Sequence, residues 1–135
     1  MINYQIEKEL SLGEFRQLLL RSTLGERRPI DDLDRLIQML EHANLIVTAR
    51  DEDKLIGIAR SLTDFAYCTY LADLAVHEGY QRQGIGKELI KQTKLAAPQA
   101  KLILLSAPKA INYYPKIGMT KHSYCYFLDN LTDLT

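Results

Sequence analysis

The clearest chemical use in this sequence belongs to two glycines at the opening of an expected helix. Gln81-Arg82-Gln83-Gly84-Ile85-Gly86-Lys87 follows an apolar run that ends at Val76. Glycines there let the backbone approach a ligand closely, and the unpaired N–H groups of a first helical turn, helped by the helix dipole, form an anion site. A phosphate or pyrophosphate is the expected guest, although the same residues can also form a glycine-rich strand–helix turn that holds nothing. Two nucleotide motifs are excluded. Leu89 stands where a dinucleotide fingerprint has its third glycine, and Lys87 is followed by Glu88 rather than the Ser or Thr of a P-loop.

Charge agrees with a confined anion site. The chain carries 17 Lys plus Arg and 17 Asp plus Glu, and a net charge of zero argues against a general affinity for nucleic acid or an anionic membrane. Between His77 and His122, however, eight basic residues (Arg82, Lys87, Lys91, Lys94, Lys101, Lys109, Lys116, Lys121) face only Glu78 and Glu88. A positive field limited to one part of a neutral domain suits a small polyanion, and a solvated lysine-rich face is the plainer alternative.

The elements that must position this loop are legible in outline. With 135 residues, 47% of them hydrophobic, and no repeat or linker, residues 1–135 read as a single domain that buries one core. Cys68 and Cys125 form no CxxC pair, so reduced thiols and a cytoplasmic setting are expected, with no metal site. No apolar run approaches the roughly 20 residues of a membrane span. Residues 3–9 alternate as a first strand, and Ser11-Leu12-Gly13-Glu14 has capping-box spacing at the start of a helix. A second helix, capped by Asp31 or Asp32, carries Leu33, Leu36, Ile37 and Leu40 on one face. Residues 45–49 and 55–59 predict an antiparallel hairpin, and Tyr70 to Val76 a further strand. A helix over about 84–97 follows, and then Leu102-Ile103-Leu104-Leu105, whose continuous apolar character predicts a strand buried on both faces. Strand, helix and strand make a right-handed βαβ unit. A short helical stretch over 110–117, interrupted by Pro115, and a terminal strand from Tyr124 to Leu128 complete an α/β chain with a mixed sheet.

In this order Leu74-Ala75-Val76, Gly79-Tyr80, Gln81-x-x-Gly84-x-Gly86 and Tyr113-Tyr114-Pro115-Lys116-Ile117-Gly118-Met119 resemble the GNAT superfamily of acetyl-CoA-dependent N-acetyltransferases. Gln81-x-x-Gly84-x-Gly86 is similar to the family's R/Q-x-x-G-x-G/A loop and the last motif to its F-Y-x-K-x-G-F signature. Together they span roughly residues 70–119. The resemblance implies a GNAT-like fold with antiparallel N-terminal strands, a βαβ cofactor unit and splayed central strands. It implies acetyl-CoA as co-substrate, with the pyrophosphate on the N–H groups of Arg82, Gln83, Gly84, Ile85, Gly86 and Lys87, and Gln81 opening the loop. The pantetheine arm would run between Leu74–Val76 and Leu102–Leu105, which splay apart because a β-bulge interrupts the first of them. N–H groups near Leu74, Ala75 and Val76 would bond the acetyl carbonyl and stabilise the oxyanion.

The resemblance also assigns side-chain roles. Tyr114 matches the tyrosine that protonates the departing thiolate, with a packing tyrosine as the plainer account. Attack needs an uncharged amine, so a base or a water path must take its proton; Asp73 is the preferred base, ahead of His77 and Glu78. Cys68 has no histidine or acid placed beside it by motif and reads as an ordinary thiol. Arg21, Arg27 and Arg28 flank a connection that walls the acceptor site in GNAT-like folds, and Arg60, Asp64, Tyr67 and Tyr70 face the same cleft by analogy. Surface charge is the blander reading of these. Pro115, and Ala107 where an asparagine often contacts the cofactor, depart from the family pattern.

The expected reaction is therefore direct acetyl transfer from acetyl-CoA to a primary amine on a small molecule or a protein, without metal, nucleic acid or membrane. Look-alikes commonly form homodimers, which the resemblance carries as an expectation. A non-catalytic acyl-CoA sensor of the same fold is the competing reading, followed by an unrelated phosphate-binding α/β domain.

Overall fold

The computed structural model describes residues 1–135, and its contacts divide into two compact units, residues 1–105 and 106–135. In the first unit β1 (Ile2–Ile6) leads to α1 (Leu12–Leu20), a 3-10 turn (Thr23–Arg27) and α2 (Leu33–His42). Next come β2 (Leu45–Asp51), β3 (Lys54–Thr63), β4 (Cys68–Val76), a 3-10 turn (Glu78–Tyr80), α3 (Ile85–Ala96) and β5 (Lys101–Ile103). The five strands lie in sequence order, antiparallel except for the parallel β4–β5 pair that α3 connects. The sheet is mixed, as the sequence predicts.

Local chemistry sets the helix starts. Ser11 Oγ accepts from Glu14 N at 3.1 Å, and Asp32 Oδ1 accepts from Arg35 N at 3.1 Å, so each helix has its first orphan donors capped. Apolar faces then choose sides of the sheet. Phe15, Leu18, Leu19 and Leu36 pack with Ile46, Leu55, Ile58 and Ala75, while Ile85 and Leu89 of α3 pack on the other face with Val47, Ala49, Ile56, Ala59 and Leu71.

Two irregularities matter. Arg60 pairs with Asp73 but Ser61 pairs with Leu71, leaving Ala72 as an extra residue, a β-bulge in β4. It reverses the side-chain alternation. Leu71 lies in the α3-side cluster, and beyond the bulge it is Leu74 and Val76 that continue there while Ala75 joins the α1-side cluster. The second irregularity is that β4 and β5 pair only through Cys68–Lys101, Thr69–Leu102 and Tyr70–Ile103, although β4 runs on to Val76. Over Leu71–Val76 one edge of β4 has no neighbouring strand.

Two expectations about strands are corrected. The run at 102–105 is not a strand buried on both faces: β5 stops at Ile103, Ile103 is 46% and Leu105 55% exposed, and Leu102 is half-buried. An apolar run gains that burial only between neighbouring strands, and β5 is the sheet's edge. The terminal strand expected at Tyr124–Leu128 does not form either. Those residues lie outside the sheet, with Tyr126 89% and Phe127 77% exposed: β propensity by itself makes no ladder.

In the second unit the expected 110–117 helix appears as a 3-10 turn (Pro108–Ala110) followed by α4 (Tyr113–Lys116). Pro115 sits inside the first turn of α4, where its missing N–H leaves no bond unmade. The helix then stops at Gly118, whose φ is +95°, with Gly118 N donating to Pro115 O at 3.1 Å and Met119 N to Tyr114 O at 3.0 Å.

Candidate active site

The glycine loop has the geometry that its sequence suggests. Gly84 is the N-cap of α3 at φ +78°, a conformation in which a side chain is strained, and it contributes no capping side chain. The first α3 bond outside the helix body is Glu88 N to Gly84 O at 3.1 Å, so the N–H groups of Ile85, Gly86 and Lys87 have no helical acceptor. These are oriented donors in search of an anion. Space above Gly84 is open, with no heavy atom within 4 Å of where a Cβ would stand. Gln81 closes the loop onto the end of β4 by donating from Nε2 to Val76 O at 3.3 Å. Tyr80 donates to Asp51 Oδ2 at 2.6 Å and so ties the segment just before the loop to the β2–β3 turn. A diphosphate fits the loop as this structure shapes it.

The bulge decides what β4 offers at its open edge. His77 N donates to Ile56 O at 2.8 Å, and antiparallel alternation back along β4 then turns the N–H groups of Ala75 and Asp73 toward β3. Leu74 and Val76 accordingly point theirs away, to the unpaired edge. Before the bulge the phase is opposite, since Asp64 N donates to Cys68 O at 3.2 Å. A donor at Leu74 thus exists because Ala72 is inserted.

Asp73 is completely buried, and both of its oxygens are held: Arg28 Nε donates to Oδ1 at 2.6 Å and Arg60 Nε to Oδ2 at 2.5 Å. Arg28 Nη2 also donates to Ala72 O at 2.8 Å, and Arg60 Nη1 to Met39 O at 3.1 Å. With no exposed surface and a guanidinium on each oxygen, this carboxylate is out of reach of an incoming amine. The other base candidates are also engaged. Glu78, exposed, lies 3.5 Å from Arg21, and His77 Nδ1 accepts from Gly79 N at 3.0 Å. Burial first, and then the charge of Lys54, hold the His77 pKa below its ordinary value, which favours the neutral ring.

An open cleft of about 760 Å³ adjoins His77 on the α1 side, lined among others by Gln17, Arg21, Asp53 and Lys54. It mixes both signs of charge and lies apart from the glycine loop.

Tyr114 is half-buried in the second unit, its ring packed edge-on against Tyr113 with centroids 5.2 Å apart. Burial, and then Tyr113, raise its pKa above the ordinary 10, so the phenol keeps its proton throughout the neutral range. Tyr67 is 82% exposed, and Asp64 serves a turn: its Oδ1 accepts from the N–H groups of Ala66, Tyr67 and Cys68. Those three bonds hold its pKa down at about 2. Cys68 and Cys125 are free and exposed.

Sequence reasoning named Arg28, Arg60 and Asp73 separately and missed that they form one cluster. A signal was available. Arg60 interrupts the apolar run of β3, and a hairpin turn at 64–67 brings it within one position of Asp73, the one acid in the apolar part of β4; the bulge at Ala72 makes up the difference.

Comparison with known proteins agrees with this geometry. The family model described as Acetyltransferase (GNAT) family matches residues 12–119. An N-acetyltransferase of the ycf52-like type from Prochlorococcus marinus is 32% identical over 130 residues, covering 89% of this chain and 70% of that protein. A GNAT-family acetyltransferase from Streptococcus pneumoniae superposes with a TM-score of 0.77 at 24% identity, over 97% of this chain and 98% of that one. An aminoglycoside N-acetyltransferase, AAC(6')-Iy, solved with CoA, superposes with a TM-score of 0.73 at 15% identity, over 97% and 95% of the two chains. The chain belongs to the GNAT family of acetyltransferases, for which acetyl-CoA is the acetyl donor.

Proposed function

We propose that the protein transfers the acetyl group of acetyl-CoA to a primary amine by direct attack, within one catalytic domain. One observation supports the reading: the edge of β4 at Leu74 has no neighbouring strand and could receive a carbonyl, while the uncapped first turn of α3, which follows the C-terminal end of the same strand, could hold a diphosphate. Leu74 and Val76 bind the donor along the edge, and Ile85, Gly86 and Lys87 anchor its phosphates with Gln81, Arg82, Gln83 and Gly84 shaping the loop. The excess of lysine between 77 and 122 complements the phosphate charge.

Tyr114 supplies the proton to the departing sulfur. Its raised pKa supports this, because a phenol that stays protonated can still donate to a developing thiolate. Asp73 serves as an anchor in place of the base expected from the sequence, and the amine proton leaves by way of water. The acceptor is an amine on a small molecule or a protein. Exposed Cys68 and Cys125 suit the reducing cytoplasm, where we place the reaction.

Calorimetry with acetyl-CoA, followed by an amine panel that reads release of the CoA thiol, tests this. Binding in the micromolar range with thiol release in the presence of at least one amine is the expected result. Saturable binding without release from any amine would indicate the sensor alternative, and no binding at high micromolar concentration would sink both.

A further inference from the structure

The cluster around Asp73 touches the bulge at Ala72 directly. β4 has two possible phases against β3. With Ala72 inserted, Leu74 directs its N–H to the open edge and Asp73 stands on the α1 side. Without the insertion, the phase set by Asp64 and Cys68 would continue. Leu74 N–H would then be spent on β3, and Asp73 would share a face with Leu71, inside the apolar cluster under α3.

Arg28 bonds the two atoms that distinguish these phases. Its Nη2 takes Ala72 O, the carbonyl of the inserted residue, and its Nε takes Asp73 Oδ1, whose side chain reaches it only when the bulge is present. The guanidinium fork is planar and rigid, so both bonds fix one geometry. Arg28 is itself fixed. It directly follows the 3-10 turn at Thr23–Arg27, where Gly25 packs so closely on α1 that a Cβ would lie 2.6 Å from Leu19 O. Arg60 holds the opposite oxygen of Asp73 from the neighbouring strand.

We propose that Arg28 is a positioning residue for acetyl transfer: by clamping Ala72 O and Asp73 it holds β4 in the phase that presents Leu74 N–H at the open edge. The kinetic part of this rests on the acetyltransferase reading above; the structural part does not. Arg28 touches no reacting atom, and its effect passes through the main chain of β4.

The experiment compares Arg28→Met, Arg28→Lys and, as a control, Arg50→Met, which breaks the other partly buried ion cluster, that of Arg50 on β2 with Glu7 and Glu14. Amide hydrogen exchange is read on each, with kcat and CoA affinity. For Arg28→Met, exchange accelerates selectively at Asp73 and Ala75, kcat falls at least tenfold, and CoA affinity falls by less than kcat because the α3 loop is untouched. Arg28→Lys restores the charge but not the double bond, and kcat stays at least fivefold down. Arg50→Met lowers stability and leaves kcat within twofold. Unchanged exchange in β4 for Arg28→Met overturns the proposal, as does acceleration spread evenly through the sheet, or full kinetic rescue by Lys. Should the wild-type chain bind no acetyl-CoA, the acetyltransferase reading fails, and the exchange pattern by itself decides the clamp.

Discussion

Arg60 and Asp73 face each other across the β3–β4 ladder, 2.5 Å from Nε to Oδ2, with Asp73 fully buried and Arg60 nearly so. Breaking a buried pair from one side leaves charge without compensation, which costs roughly 3–5 kcal/mol. Asp73→Asn would leave two guanidiniums facing one neutral amide. Urea denaturation should therefore show a loss of about 3 kcal/mol, while the shape of the kcat/KM pH profile in the remaining folded enzyme stays as in the wild type. Disappearance of an acidic limb from that profile would return Asp73 to the role of base.

Gly84→Ala probes the cofactor loop. At φ +78° an L side chain costs about 1 kcal/mol even though open space surrounds the site. The loop can relieve this strain by moving the N–H groups of α3 off the diphosphate. A rise of about tenfold in the KM for acetyl-CoA is expected, with a small drop in Tm. An unaltered KM would place the diphosphate elsewhere.

Tyr114→Phe removes the proposed acid and keeps the ring. General acid catalysis typically contributes 10²–10⁴-fold, so kcat should fall by about 100-fold with little change in acetyl-CoA affinity. Because burial raises the phenol's pKa above 10, the wild-type rate should hold through pH 9 and decline only at still higher pH, as the donor loses its proton. Single-turnover measurements of the chemical step would show both effects, and equal rates for the two proteins would exclude Tyr114.

Acid sensitivity centres on a different carboxylate. Hydrogen bonds from Arg50, chiefly, bring the Glu7 pKa from 4.5 down to about 2 against the opposing effect of burial, and those of Glu14 act in the same direction. A group whose folded pKa is depressed stabilises the fold above its unfolded pKa, and this stability is lost as pH falls toward the folded value. Stability should accordingly drop between about pH 4.5 and 2, with a slope approaching ~1.4 kcal/mol per pH unit for the Glu7 proton and a smaller one for the more exposed Glu14. Arg50→Met should flatten that slope, which denaturant titrations at pH 5, 4 and 3 would measure.

Local chemistry carried by single segments was legible in the sequence. Ser11 with Glu14 and Asp32 mark helix starts that form as expected, because a cap depends on neighbours three residues away. Gly84 and Gly86 likewise announce an open helix start, since backbone freedom is a property of the residue. What distant partners determine was decided by the tertiary structure. The insertion at Ala72 leaves no mark in a run such as Leu71-Ala72-Asp73-Leu74, yet it settles which face takes Asp73 and which edge takes Leu74 N–H. Arg28 meets Asp73 across 45 positions, a distance over which spacing says nothing. The apolar residues after Lys101 and the aromatic run at 124–128 show the same limit: composition sets the affinity for a sheet, but only backbone pairing with a neighbouring strand makes a strand.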